Sequence, residues 1–105
     1  MHIQVVTFHL EGLSGEDYLA ACNQLAPAIA QVPGLISKTF IGNPETNTYG
    51  GVHVWRDRES MEAYRTSDLW RTIEGQPAFV GLVSQEFGVL EEPSRVTRGL
   101  EAVAA

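Results

Sequence analysis

His53, Trp55 and Tyr64, with Tyr49 ahead of them and Trp70 behind, are the residues whose types and spacing could bind and transform a small molecule. Aromatic rings supply apolar area for a flat organic ligand, and an imidazole among them supplies one group that can gain or lose a proton near neutral pH. Alternation through residues 49–56 sets Tyr49, Gly51, His53 and Trp55 on one face of a strand and Gly50, Val52, Val54 and Arg56 on the other. The first face is aromatic and polar, the second small and aliphatic. Met61 and Tyr64 then fall on the inner side of a following helix. The plainer alternative for Trp55, Tyr64 and Trp70 is a core beneath that helix, and for His53 a hydrogen-bonded place in the wall or at a subunit face. Tyr49 stands at the rim, beside two glycines that leave room for a ligand or a close backbone. His9 ends the first strand and reaches the same cavity if it shares its face; otherwise it is a strand-end histidine at the surface.

The elements that must position these groups are legible in the hydrophobic pattern. Residues 2–10 alternate as a first strand, with Ile3, Val5, Thr7 and His9 on one face and His2, Gln4, Val6, Phe8 and Leu10 on the other. Ser14 with Asp17 three residues on opens a helix expected to run to about residue 31, with Leu19, Cys22, Ala26 and Ile29 as its buried stripe, flanked by Tyr18, Leu25 and Val32. Pro27 should bend that helix or end its hydrogen bonding early. Pro33-Gly34 closes it. Residues 35–42 and 48–56 form a hairpin around an Asn43-Pro44 turn, and Asp57 caps a second helix that Leu69 and Trp70 close. Residues 79–90 form a long fourth strand. The expected fold is α+β: a ferredoxin-like β-α-β-β-α-β chain with a four-stranded antiparallel sheet and both helices on one face. One domain is expected over residues 1–95, with residues 96–105 as a flexible tail after an extended arm around Pro93. A sheet with helices on one side only leaves Val52 and Val54 uncovered, so a homodimer with its sheets face to face is expected.

Composition narrows the function classes. A net charge of −6 in 105 residues argues against nucleic acid, because phosphate binding needs a basic surface. The arginines from Arg56 to Arg65 alternate with acids and read as a solvated helix face. No apolar run approaches the roughly 20 residues that span a bilayer, so no membrane partner is expected. The start of the chain lacks the basic and apolar regions of a signal peptide, from which we expect a cytoplasmic protein. Cys22 is the only cysteine and lies among aliphatic residues, which suits a small buried hydrophobe. Two histidines on separate strands, without a third ligand at fixed spacing, do not make a metal site.

V-P-G-L-I-S-K (Val32 to Lys38), Y-G-G-V-H-V-W-R-D (Tyr49 to Asp57), S-M-E-A-Y (Ser60 to Tyr64) and E-E-P-S-R (Glu91 to Arg95) resemble the YdhR-like mono-oxygenase family, which belongs with the antibiotic-biosynthesis monooxygenases of the dimeric α+β barrel superfamily. The resemblance implies a homodimer with a pocket between sheet and helices in each subunit. It also implies oxygenation of a quinol or polycyclic phenol with no cofactor. Heme-degrading members of the superfamily share a segment like Ser67-Asp68-Leu69-Trp70 followed by an axial histidine; here Arg71-Thr72-Ile73-Glu74 follows, and the first strand lacks their asparagine. Oxygenation without metal or flavin requires the substrate anion to supply electrons to dioxygen, and so a base and an oxyanion donor in a dry pocket. His53 is the candidate base, with Trp55, Tyr64, Trp70, His9 and Tyr49 as substrate-binding residues. A non-catalytic protein that sequesters an aromatic metabolite, or an isomerase or cyclase working by proton transfer, would use the same pocket.

Overall fold

Burial along the first strand decides how the sheet faces: Gln4, Val6, Phe8 and Leu10 are buried, while their odd-numbered neighbours are not. The computed structural model describes residues 1–100. Its elements run β1 (His2–Leu10), α1 (Gly15–Ala30), β2 (Leu35–Asn43), β3 (Thr48–Trp55), α2 (Arg58–Arg65), α3 (Asp68–Glu74), β4 (Phe79–Gly88) and α4 (Glu91–Val96). The four strands are ordered β2-β3-β1-β4, antiparallel at every seam, which is the expected ferredoxin-like topology. Val6, Phe8, Leu10, Trp55, Met61, Tyr64 and Trp70 form the core between the sheet and the helices.

The helix starts follow their capping residues. Ser14 Oγ accepts the Asp17 amide at 3.1 Å and Asp57 Oδ1 accepts the Ser60 amide at 2.8 Å. Both satisfy amides that have no partner within the helix. At the other end of α1, Gly34 takes φ +82° and packs so closely on Ser60 that a side chain there would collide with the serine hydroxyl.

Several expectations need correction. The second helix is two: after Arg65 the chain turns, and Ser67 recaps α3 by accepting the Trp70 amide at 3.2 Å while its hydroxyl bonds to the Tyr64 carbonyl. A serine that can satisfy both broken ends offers the backbone an alternative to continuous helix. Leu19 is exposed; the inner stripe of α1 runs instead through Tyr18, Cys22, Leu25, Ala26 and Ile29. Pro27 sits within α1, which continues to Ala30. β4 ends at Gly88, and the segment around Pro93 is the short helix α4 rather than an extended arm, with Pro93 in its first turn, where a missing amide is tolerated. Of the expected flexible tail, Val96 ends α4, and residues 101–105 lie outside the described residues.

Among the described residues, the opposite sheet face lies outside the core that forms beneath the helices. Ile3, Val5, Val52 and Val54 are half-buried there, and Val83 and Phe87 are exposed beside them. Among the described residues no helix is long and apolar enough to cross a membrane.

Candidate functional site

A row of polar side chains crosses the helical face of the sheet. His53 on β3 pairs with Gln4 on β1 and with Lys38 on β2, which puts the three on one line. Gln4 is fully buried and fully used: its oxygen accepts from Trp55 Nε1 at 3.2 Å and its amide donates to Ser84 Oγ at 3.0 Å. His53 is 2% exposed, yet neither ring nitrogen has a hydrogen-bond partner among the described residues; the same holds for the hydroxyl of Tyr64. Buried polar atoms are nearly always satisfied, since leaving one bare costs on the order of 1–3 kcal/mol. Three such atoms in one place therefore mark a site.

They border one cavity. It has a volume of about 70 Å³ and is walled by Val6 and Phe8 of β1, Tyr18, Cys22 and Leu25 of α1, Lys38 and Phe40 of β2, Gly51 and His53 of β3, and Tyr64, Trp70 and Ile73 above. Tyr18, Cys22 and Phe40 also border an outer groove of about 840 Å³ between α1 and the β2–β3 hairpin, whose rim includes Leu19, Ile41 and Tyr49. An inner chamber thus adjoins a broad apolar entrance.

Electrostatics follow from dryness. Burial, with the Lys38 charge adding to it, pulls His53 down to about 4, while the nearby Gln4 backbone opposes the shift weakly. The imidazole is neutral at pH 7, with one nitrogen free to accept. Burial pushes the Tyr64 hydroxyl up to about 12, so it stays a donor. Burial and the neighbouring Cys22 thiol raise Tyr18 as well. Lys38 is lowered to about 8, again by burial, with Cys22 pulling the other way.

The aromatic neighbours are close-packed. The His53 and Trp55 rings are within 5° of parallel with centroids 6.0 Å apart, and between centroids Tyr64 is 5.8 Å from His53 and Trp70 is 5.6 Å from Tyr64. His53, Tyr64 and Trp70 line the inner chamber and Tyr49 lines the groove, while Trp55 lines neither and stands behind His53 as core. β1 alternation puts His9 on the open side of the sheet, where its Nδ1 bonds to the Asn47 carbonyl at 2.8 Å. His2 bonds to Glu86, on which Arg58 and Arg65 also converge, so these two arginines are paired rather than merely solvated. Among the described residues no three His, Cys, Asp or Glu side chains cluster as metal ligands.

Sequence reasoning missed Lys38, Tyr18 and Cys22 as wall residues. Lys38 was hidden by a bulge. Leu35 pairs with Trp55 but Ser37 with Val54, so one extra residue reverses the alternation and swings Lys38 to the helical face. Its Cε lies 2.6 Å, and His53 Cε1 3.4 Å, from where a Gly51 side chain would begin. The bare glycine lets the two approach.

The family model described as "Putative mono-oxygenase ydhR" matches residues 3–100. No curated protein matches the chain. Among the solved structures similar in fold are the following three. SnoaB, a cofactor-independent oxygenase from Streptomyces nogalater (mutant N63A), is 16% identical over 86% of this chain and 93% of its own, with TM-score 0.69. The heme-degrader MhuD from Mycobacterium tuberculosis, with two hemes in its active site, is 17% identical over 88% and 98%, with TM-score 0.70. An antibiotic biosynthesis monooxygenase, so described as putative, from Deinococcus radiodurans is 17% identical over 87% and 94%, with TM-score 0.66. Identities this low establish the shared fold.

Proposed function

The chain belongs to the family described as putative mono-oxygenase ydhR, and from that membership we propose that it oxygenates a phenol or quinol with dioxygen, the substrate itself supplying the electrons. The observation that carries this reading is the trio of buried, unpartnered polar atoms, His53 Nδ1 and Nε2 and the Tyr64 hydroxyl, around an otherwise apolar chamber. SnoaB, similar in fold, is a cofactor-independent oxygenase.

The chemistry balances without another reductant. A phenol with a hydrogen at its para carbon, plus dioxygen, gives a quinone and water. The phenol proton passes to neutral His53, and Tyr64 donates a hydrogen bond to the oxyanion. One electron moves from the anion to dioxygen, the two radicals join at the para carbon, and the peroxide loses water as that carbon's hydrogen leaves as a proton. The substrate supplies all four electrons. His53 is a weak base in the empty chamber, but a phenolate beside it favours the imidazolium and raises its proton affinity.

Size suits this arrangement. Ligand pockets usually measure roughly 300–1,000 Å³, so the inner chamber takes a reacting ring while the groove takes the rest of a polycyclic molecule. Heme is the poorer fit. The histidine present lies on the sheet in a small chamber, and α3 offers none after Trp70. The open sheet face, with its valines and Phe87, supports a homodimer with the sheets packed together.

The test is dissolved-oxygen uptake by metal-stripped protein across a panel of quinols and hydroxylated polycyclics, with His53→Ala as the control. Uptake that falls at least about tenfold in the variant supports the reading, since removing a general base typically costs 10²–10⁴. Saturable binding without uptake would make the protein a carrier of aromatic molecules. Product formed without oxygen would make it an isomerase.

A further inference from the structure

Lys38 brings a positive charge into the chamber wall with nothing to balance it. Among the described residues its ammonium makes no ion pair, and its recorded partner is the Phe40 ring, 4.2 Å from Nζ to centroid. The titratable groups around it are His53 on β3, Tyr18 and Cys22 on α1 and Tyr64 on α2, and none is a carboxylate. A cation held among apolar walls without a counter-ion is costly, and its cost falls when an anion arrives. Gly51 lets the Lys38 stem and the His53 ring pack over the same stretch of β3, and both side chains line the chamber.

We propose that the chamber is an anion site, in which the Lys38 ammonium holds the ionised oxygen of an acidic phenol or enol while His53 and the Tyr64 hydroxyl complete its contacts. The proposal rests on the cavity being the substrate site and names the substrate class: an aromatic with an ionisable hydroxyl, bound as its anion. Discrimination follows from the same charge. A neutral hydrocarbon of equal shape would offer the ammonium nothing in exchange for the water it displaces, whereas a phenolate satisfies it. Lys38 stays mostly protonated at neutral pH, because burial lowers it only to about 8. The phenol's own ionisation is then favoured by an opposite charge within contact distance.

The probe is 4-nitrophenol, whose ionised form is coloured and which binds without consuming oxygen. Wild type, Lys38→Met and Lys38→Arg are titrated with it from pH 5 to 9 under nitrogen, after circular dichroism confirms that each is folded. Wild type is expected to lower the apparent pKa of the bound dye by about one unit or more, as an opposite charge at contact does. Lys38→Met should abolish that shift and weaken the anion's affinity about tenfold or more, and Lys38→Arg should keep part of both. Equal affinity for ionised and neutral dye, an unchanged Lys38→Met, or no binding by wild type would each overturn the anion site. Oxygen uptake is read separately. A Lys38-dependent shift without uptake on any phenol leaves the anion site standing and removes the oxygenase, while uptake unaffected by Lys38→Met does the reverse.

Discussion

Trp55 Nε1 donates to Gln4 Oε1 at 3.2 Å across the β1–β3 seam, directly behind the wall that His53 presents to the chamber. The pair is wholly buried, and the other end of the amide is tied to Ser84 on β4, so one glutamine joins three strands under the site. Gln4→Leu strands the indole N–H and the serine hydroxyl. We expect a loss of about 1–3 kcal/mol in urea unfolding, the desolvation cost of unpaired buried groups. Ligand affinity of the folded protein should be kept, because neither partner lines the cavity.

Tyr64→Phe should behave in the opposite way. Its hydroxyl is buried and unpartnered, so its removal leaves stability unchanged or raises it by up to about 1 kcal/mol. Affinity for phenolic ligands should fall. A denaturation curve and a binding isotherm on the same sample check both; a large loss of stability would mean the hydroxyl is satisfied in solution.

Acid should destabilise the protein through His53. The imidazole is held down to about 4 in the fold and returns to about 6.5 when unfolded, so the unfolded chain binds the extra proton between those values. The contribution is intact above pH 6.5 and is lost as pH falls toward 4, on the order of 3 kcal/mol at full extent. Glu86, held low chiefly by His2 and then by Arg58, also loses its ion pairs in acid, so the comparison is with a variant. His53→Asn should flatten the difference between melting curves at pH 7 and pH 5 relative to wild type.

The uncovered sheet face makes a prediction about mass. Sedimentation should give twice the 11.5 kDa of the chain. Val83→Glu, at a position 49% exposed on that face, should yield folded monomer. A wild-type monomer at micromolar concentration would remove the dimer.

How much of this was legible depended on which interactions are local. Alternation in β1 and β3, the caps at Ser14 and Asp57 and the Pro33-Gly34 stop depend on neighbours within a few residues, and they made the element order and helix starts legible, while the inward side of His53 rested on the aromatic pattern together with the family resemblance. Tyr64 and Trp70, read from the same short-range signals, line the chamber with it. Whether α2 and α3 are one helix turned on a single serine hydroxyl, which pattern cannot weigh against continued helix. Trp55 needed Gln4, 51 positions away, before it could be assigned to the core rather than the pocket.

The sequence by itself determined the fold family and the aromatic-and-histidine character of the site, because periodicity and capping are properties of nearby residues. Only the tertiary structure decided that His9 faces away, that Lys38 faces in, and that the His53 ring nitrogens and the Tyr64 hydroxyl have no hydrogen-bond partner among the described residues. Those depend on the β1 face, on the bulge between Leu35 and Ser37, and on a chamber walled by residues of all four strands and three helices. A one-residue change in register reverses every side chain beyond it, and composition carries no trace of where that change falls.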